Sequence, residues 1–210
     1  LNFWFINLNQ MKRVEKKNKS FLKEQYIKSW NYIKESKNFI FAVVILFLIF
    51  LLIGFFVPAP DFLVEKIINF LKKIVEMTKD MSQIELIVFI FNNNLQASFL
   101  GMIFGFFLGI YPILAAVANG YIVGFVGAVA VNEGGFSILL SLLPHGIFEL
   151  PAVFISFGLG LKLGTFIFHN KKSTVFRNYF WNSLRVLIFV IIPLLIIAAI
   201  IEGTLIFVFG

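Results

Sequence analysis

The chain has 210 residues, of which 60% are hydrophobic and 14% are charged, and its formal net charge is +7. Soluble domains average about 25% charged residues, and the 29 phenylalanines exceed what one soluble core of this size can bury. The composition excludes a soluble globular protein and predicts an all-α, polytopic transmembrane helix bundle.

The first 37 residues are strongly basic, with nine Lys or Arg residues against three glutamates. We therefore predict a basic cytoplasmic N-terminal segment at residues 1–37 and an integral membrane domain at residues 38–210. Met11 is the first methionine, so we interpret the ten residues before it as an upstream extension without a function. Four apolar residues at helical spacing predict an amphipathic helix on the inner membrane surface: Leu22, Tyr26, Trp30 and Ile33.

The first transmembrane span is predicted at residues 39–57, which contain no charged residue. This run is too long for the apolar region of a signal peptide, so we expect a retained anchor. A second amphipathic helix is predicted at residues 61–81, on the outer face. Its apolar stripe comprises Val64, Ile67, Ile68, Leu71, Ile74 and Val75.

No charged residue occurs between Leu86 and Asn132, a run long enough for two spans. We predict spans at residues 94–111 and 112–131, joined by a tight turn at Tyr111-Pro112. Five glycines at four-residue spacing within the two spans allow close backbone approach in lipid: Gly101, Gly105, Gly109, Gly120 and Gly124. We expect this hairpin to pack tightly within the chain, and a homo-oligomer face is the alternative.

The fourth and fifth spans are predicted at residues 135–163 and 181–209. A continuous helix over residues 135–163 would be about 43 Å long, which exceeds the hydrocarbon thickness of about 30 Å. We therefore predict a helix break near Pro144 to Gly146. If the helix resumes at Gly146, His145 and Glu149 share one face beside the break.

Lysine and arginine fix the expected orientation of the bundle, because loops rich in these residues stay in the cytoplasm. The segments before span one and between spans four and five are basic, which predicts a cytoplasmic N-terminus and an external C-terminus. The basic residues match no nucleic-acid recognition motif, so we expect no nucleic-acid partner. The expected partner of the chain is the lipid bilayer, and binding of the N-terminal lysines to anionic lipid is the alternative to a plain orientation signal.

The few polar residues inside the spans are the candidates for function, because polar groups in hydrocarbon face a bundle interior or a cavity. We expect Glu149 near the bilayer middle and Glu202 close to the outer interface, about 26 Å along its helix from Arg185. A hydrogen-bond lock that joins span four to Asn119 or Asn94 is one role for this site, and a proton or ion relay through Glu149 is another. A metal held by His145, Glu149 and Glu202, or a hydrolytic pair of Ser141 with His145, fits less well. The chain lacks a complete ligand set and an identifiable oxyanion donor.

The second half of the chain resembles the stage II sporulation protein M family of integral membrane proteins. The resemblance is carried by "FNNNLQASFLGMIFGFFLGIYPILAAVANGYIVGFV", "LLPHGIFELPAVFISFGLGLKLG" and "LLIIAAIIEGTLIFVF", in that order. Together these stretches cover Phe91 to the C-terminus, and the P-H-G-x-x-E-x-P-A block is the specific part. The motif residues are Asn93, Asn94, Asn119, Gly120, Pro144, His145, Gly146, Glu149, Pro151 and Glu202.

The resemblance implies a membrane protein without a catalytic activity or a cofactor. The founding member, in endospore formers, resembles a scaffold that anchors cell-wall-degrading enzymes during engulfment, but relatives also occur in bacteria and archaea that do not sporulate. We therefore expect a membrane scaffold or assembly factor for envelope processes, with other membrane or envelope proteins as partners. A transporter or channel component that uses Glu149 as a proton or ion site is the alternative.

Overall fold

The computed structural model describes residues 20–134 and 137–209. The helices are α1 (residues 20–35), α2 (Lys37–Phe56), α3 (Asp61–Thr78), α4 (Gln83–Ile103), α5 (Ile110–Gly134), α6 (Ser137–Gly164), α7 (Lys172–Val186) and α8 (Ile192–Phe209). Short 3₁₀ turns extend α4 and α6, and a π-helical segment, Leu187–Ile191, joins α7 to α8. The described residues contain no strand.

In the part of the chain that the structure describes, five stretches of helix are long and apolar enough to cross a membrane, which confirms the predicted all-α bundle of about five spans. They are Lys37–Phe56, Gln83–Phe106, Ile110–Asn132, Phe148–Phe168 and Lys172–Val208. The chain enters the bundle at α1 and crosses to α3, so we name the two ends of the bundle the α1 end and the α3 end. The α4–α5 and α6–α7 connections lie at the α1 end.

The second span begins and ends earlier than its predicted limits of 94–111. A capping box starts α4, because Ser82 accepts the Glu85 backbone N–H and the Glu85 carboxylate accepts the Ser82 N–H. The turn between α4 and α5 lies at residues 107–109, where Leu108 and Gly109 have φ values of 59° and 72°. Pro112 lies in the first turn of α5, where a missing N–H is tolerated. The predicted turn at Tyr111-Pro112 is therefore wrong.

The predicted helix break near Pro144 to Gly146 is also wrong, because α6 is one continuous α-helix from Ser137 to Gly164. A proline inside a helix removes one backbone hydrogen bond, whereas an interruption at membrane depth would leave several backbone groups without partners. Continuing the helix is the smaller loss. The side chains of Pro144 and His145 lie outside the described residues.

Helix α6 is the centre of the bundle and packs against α2, α4, α5 and α8. Two further pairs flank it, α2 with α5 and α4 with α8. Phe157 and Leu159 of α6 are almost completely buried, at 1% and 0% exposure, in two separate apolar clusters. Every other span therefore takes its position from α6 or from a helix that contacts it.

Glycine permits these close contacts. A Cβ atom on Gly105 would collide with the backbone of Gly160 in α6, and one on Gly124 would collide with the Leu51 carbonyl oxygen in α2. The predicted role of the glycines in packing within the chain agrees with these contacts. However, the glycines of α4 face α6 and those of α5 face α2, so the two arms of the hairpin do not use them to contact each other.

The two expected amphipathic helices are present as α1 and α3. In α3 only Ile67 of the apolar stripe is buried, and Val75 is 64% exposed. In α1 the side chains of Ser29 and Tyr32 are buried against the bundle, while Leu22, Tyr26 and Trp30 are exposed. Apolar faces of this kind suit a helix that lies on a membrane surface.

A buried lysine joins three helices at the α1 end. The Lys162 ammonium donates to Ser36 Oγ at 3.0 Å and lies 4.0 Å from the Tyr32 ring centroid and 5.1 Å from the Tyr179 ring centroid. Ser36 in turn donates to the Tyr32 carbonyl oxygen at 2.7 Å. Burial raises the pKa of the Tyr32 hydroxyl well above its ordinary value, so this ring stays neutral. Lys162 of α6 thus holds the α1–α2 junction and α7 together.

We expect Gly124→Ala to lower the free energy of unfolding by about 1–3 kcal/mol, because the added methyl group forces α5 away from the α2 backbone. Chemical unfolding in detergent measures this change. Ala118→Val is the matched control, because Ala118 is exposed on the same helix. Equal stability of the two variants would contradict the proposed backbone contact.

We expect Lys162→Gln to release α1 from the bundle. Amide hydrogen exchange in residues 20–35 should accelerate about tenfold, because the lost cation–π contacts are worth roughly 1–2 kcal/mol. Lys171→Gln serves as the control, since Lys171 is exposed in the α6–α7 turn. Unchanged exchange in α1 would show that other contacts hold this helix.

Candidate functional site

Three polar residues lie on α4, α6 and α8, and these three helices contact one another pairwise. Asn94 of α4 is 8% exposed. One carboxylate oxygen, Oε2, is buried in both Glu149 of α6 and Glu202 of α8. Each glutamate interacts with another group of the protein. Three of the predicted site residues thus lie on three helices that pack against one another.

The depth of the two carboxylates follows from the contacts of their helices with α4. Ser156 donates from Oγ to the Ser98 carbonyl oxygen, so Glu149, seven residues earlier on α6, lies level with Phe91. Gly203 lies against Ile87, which places Glu202 within one residue of the level of Ile87. Along the bundle axis the two glutamates are therefore about 5 Å apart. The sequence predicts Glu149 near the bilayer middle and Glu202 close to the outer interface.

A second group of polar residues faces outward from the middle of α4. The side chains of Asn92, Asn93 and Gln96 are exposed, and they lie on one side of the helix. Gln96 is about 20 Å along the helix from Gln83 and about 15 Å from Phe106. These three amides form what we call the amide surface. The sequence placed the asparagines at the opening of a span, whereas the structure places them near its middle.

Asn119 of α5 is also exposed and lies near the middle of its span, whereas the adjacent Gly120 is buried against Phe47 of α2. Its exposure argues against Asn119 as the residue locked to span four. Asn94 fits that role better, because it is buried on a helix that packs directly on α6. The hydrogen-bond lock between span four and Asn94 therefore stays a prediction.

The remaining predicted residues lie along α6. Gly146 is partly exposed and Pro151 is exposed, so neither packs into the centre of the bundle. The side chain of His145 lies outside the described residues. The proposed pairings of His145 with Glu149 and with Ser141 therefore also lie outside them. Among the residues whose side chains are described, no three His, Asp or Glu side chains are grouped to hold a metal ion.

Three residues with structural or functional contacts were not recognised from the sequence: Gln96, Lys162 and Arg185. Gln96 completes the amide surface, and its spacing from Asn92 and Asn93 was the available signal, because residues three and four apart share a helix face. Lys162 and Arg185 were interpreted only as topology signals. Nothing in their spacing predicts that one is buried between two tyrosines and that the other binds the N-terminal helix.

Comparison with known proteins identifies relatives of this chain. The family model described as stage II sporulation protein M matches residues 43–205, which include most of the first span as well as the motifs in the second half. An uncharacterised protein of Methanocaldococcus jannaschii is 32% identical over 179 residues, which cover 80% of this chain and 78% of the relative. A second uncharacterised protein of that organism is 29% identical over 119 residues, which cover 54% of this chain and 66% of the relative.

No solved structure matches the chain. The family match covers all five spans at least in part, and it extends well beyond the Asn-rich and P-H-G-x-x-E stretches that suggested it. The chain is a polytopic membrane protein, and it belongs to the stage II sporulation protein M family.

Proposed function

We propose that the protein is a membrane scaffold or assembly factor that binds another membrane or envelope protein through the amide surface of α4. In this proposal the protein catalyses no reaction itself. The basic α1 end lies in the cytoplasm and the C-terminus lies outside, as the distribution of lysines predicts.

The exposed amides of Asn92, Asn93 and Gln96 carry the proposal. In the middle of a bilayer no water is present to satisfy a primary amide, and polar side chains there face protein or a wet cavity. Amide side chains hydrogen-bond across neighbouring transmembrane helices, at about 1 kcal/mol each. A partner helix with polar side chains would satisfy these groups and gain specificity from them.

Photo-crosslinking in native membranes tests this idea. We expect a photoreactive amino acid in place of Gln96 to give an adduct with a defined protein. The same probe in place of Ile45 should label lipid alone, because Ile45 is an exposed apolar residue of α2. A partner that is a second copy of the chain would make the scaffold a homo-oligomer, and an adduct pattern identical at both positions would contradict the proposal.

The double substitution Asn93→Leu and Gln96→Leu provides an independent check. We expect recovery of the partner in mild detergent to fall about tenfold, because two interhelical hydrogen bonds are lost. The stability of the isolated protein should stay the same or rise, because leucine suits a lipid-facing position better than an amide. A loss of stability with unchanged partner recovery would assign these residues to the fold instead.

The carboxylates of Glu149 and Glu202 favour transport as a second candidate function. Both are partly buried at similar depth between α4, α6 and α8, and intramembrane carboxylates often form proton or ion pathways. The chain would then be a transporter or channel component. Glu149 would carry the proton or cation.

Reconstituted vesicles distinguish transport from a purely structural role. If the glutamates conduct, wild-type protein should pass protons or monovalent cations above the leak of empty vesicles. Glu149→Gln should then reduce the flux about tenfold or more, because the amide cannot exchange a proton at neutral pH. Glu76→Gln, on the exposed side of α3, should leave it unchanged. Equal flux through wild type and Glu149→Gln would exclude this function.

A further inference from the structure

An open polar pocket lies between α1 and α7, away from the amide surface and the carboxylates. Its volume is about 380 Å³. Six side chains line it: Lys28, Asn31, Tyr32, Glu35, Asn182 and Arg185. Two of these residues are cations, which can donate hydrogen bonds to a bound anion. Two others are neutral amides, which can form hydrogen bonds with the polar groups next to that anion in the same ligand.

Arg185 is held in a fixed position in this pocket. Its Nε donates to Gln25 Oε1 at 2.9 Å, and its Nη1 donates to Asn182 Oδ1 at 2.5 Å. A guanidinium carries five N–H groups, so these two bonds orient its plane and leave donors for a ligand. A planar fork of this kind suits the oxygens of a phosphate group.

Lys28 supplies a second, movable cation. Its ammonium pairs with Glu24 at 2.6 Å, and both side chains are about half exposed. Such an exposed pair is worth little, and its ammonium retains further N–H donors. Lys28 can therefore turn toward an anion in the pocket at small energetic cost.

The pocket lies at the level of the lipid headgroups. Gln25 contacts Arg185 and Tyr32 contacts Tyr179, so α1 runs antiparallel along α7. This register brings Trp30 level with Trp181, and the two rings are 57% and 58% exposed. Tryptophan is enriched at the membrane–water interface, and Arg185 follows Trp181 by one helical turn. The cations of the pocket therefore lie where phosphate groups of lipids are found.

We propose that this pocket binds the phosphate of a phosphodiester, and that the source is the headgroup of a membrane lipid. Arg185 and Lys28 contact the phosphate oxygens, while Asn31 and Asn182 bond the hydroxyl or amine groups beside it. Glu35 lines the same pocket and repels additional negative charge. The site thus prefers a singly charged phosphodiester to a phosphate monoester or a polyphosphate.

Calorimetric titration of the full chain in non-ionic detergent tests the site, with dioctanoyl phosphatidylglycerol as the probe. We expect Arg185→Gln to weaken binding about tenfold, because a charge-assisted hydrogen bond is lost. Arg177→Gln is the matched control, since it removes the same charge from an exposed position on the same helix. If both variants bind the lipid equally weakly, the loss of affinity comes from the change in net charge and not from the pocket. This result would overturn the proposal.

A second pair of variants keeps the test valid if Arg185→Gln fails to fold. Lys28→Gln should weaken binding, whereas Lys34→Gln, on α1 but outside the pocket, should not. Dioctanoylglycerol, which lacks the phosphate, should not bind, and its binding would overturn the site. If glycerol 3-phosphate binds as tightly as the lipid and responds to the same variants, a soluble phosphate ester is the ligand and the lipid source is wrong.

Discussion

Contact between helix backbones at glycine is the constraint on which the rest of the bundle depends. Lipid tails are as apolar as leucine, so hydrophobic burial gives little attraction between spans and close packing must supply it. Gly105 of α4 lies against Gly160 of α6, and Gly124 of α5 lies against the Leu51 carbonyl of α2. These contacts fix the register between helices, and the register decides which polar side chains share a level in the membrane.

The polar groups of the spans fall into two populations with different physical consequences. Glu149 and Glu202 lie between α4, α6 and α8 and interact within the protein, so their free energy depends on the internal packing of the bundle. Asn93 and Gln96 face outward from the same α4 helix, so their amides are accessible to groups outside the chain. One helix thus connects an internal polar site to an external surface. A partner on that surface would act on α4, which also packs beside the two carboxylates.

The α1 end uses charge in a different way. Lys162 is buried against two tyrosine rings and holds α1 and α7 to the central helix. Arg185 binds Gln25 and lines the open pocket between α1 and α7. A segment that would otherwise be only an orientation signal is thereby part of the folded protein. Its cations either join helices or remain accessible to lipid phosphates.

The sequence alone determined the membrane environment, the helical fold, the five spans and the two amphipathic helices, because charge-free length and helical periodicity are local properties of the chain. It also carried the motifs of the family. The tertiary structure alone decided that α6 continues through Pro144, that the asparagines of α4 lie in mid-span and that Lys162 is buried. The capping box at Ser82 was readable from the sequence, but the depth of Asn93 was set by where α4 starts and by its neighbours. Burial and depth depend on contacts between residues far apart in the chain, and no local pattern specifies them.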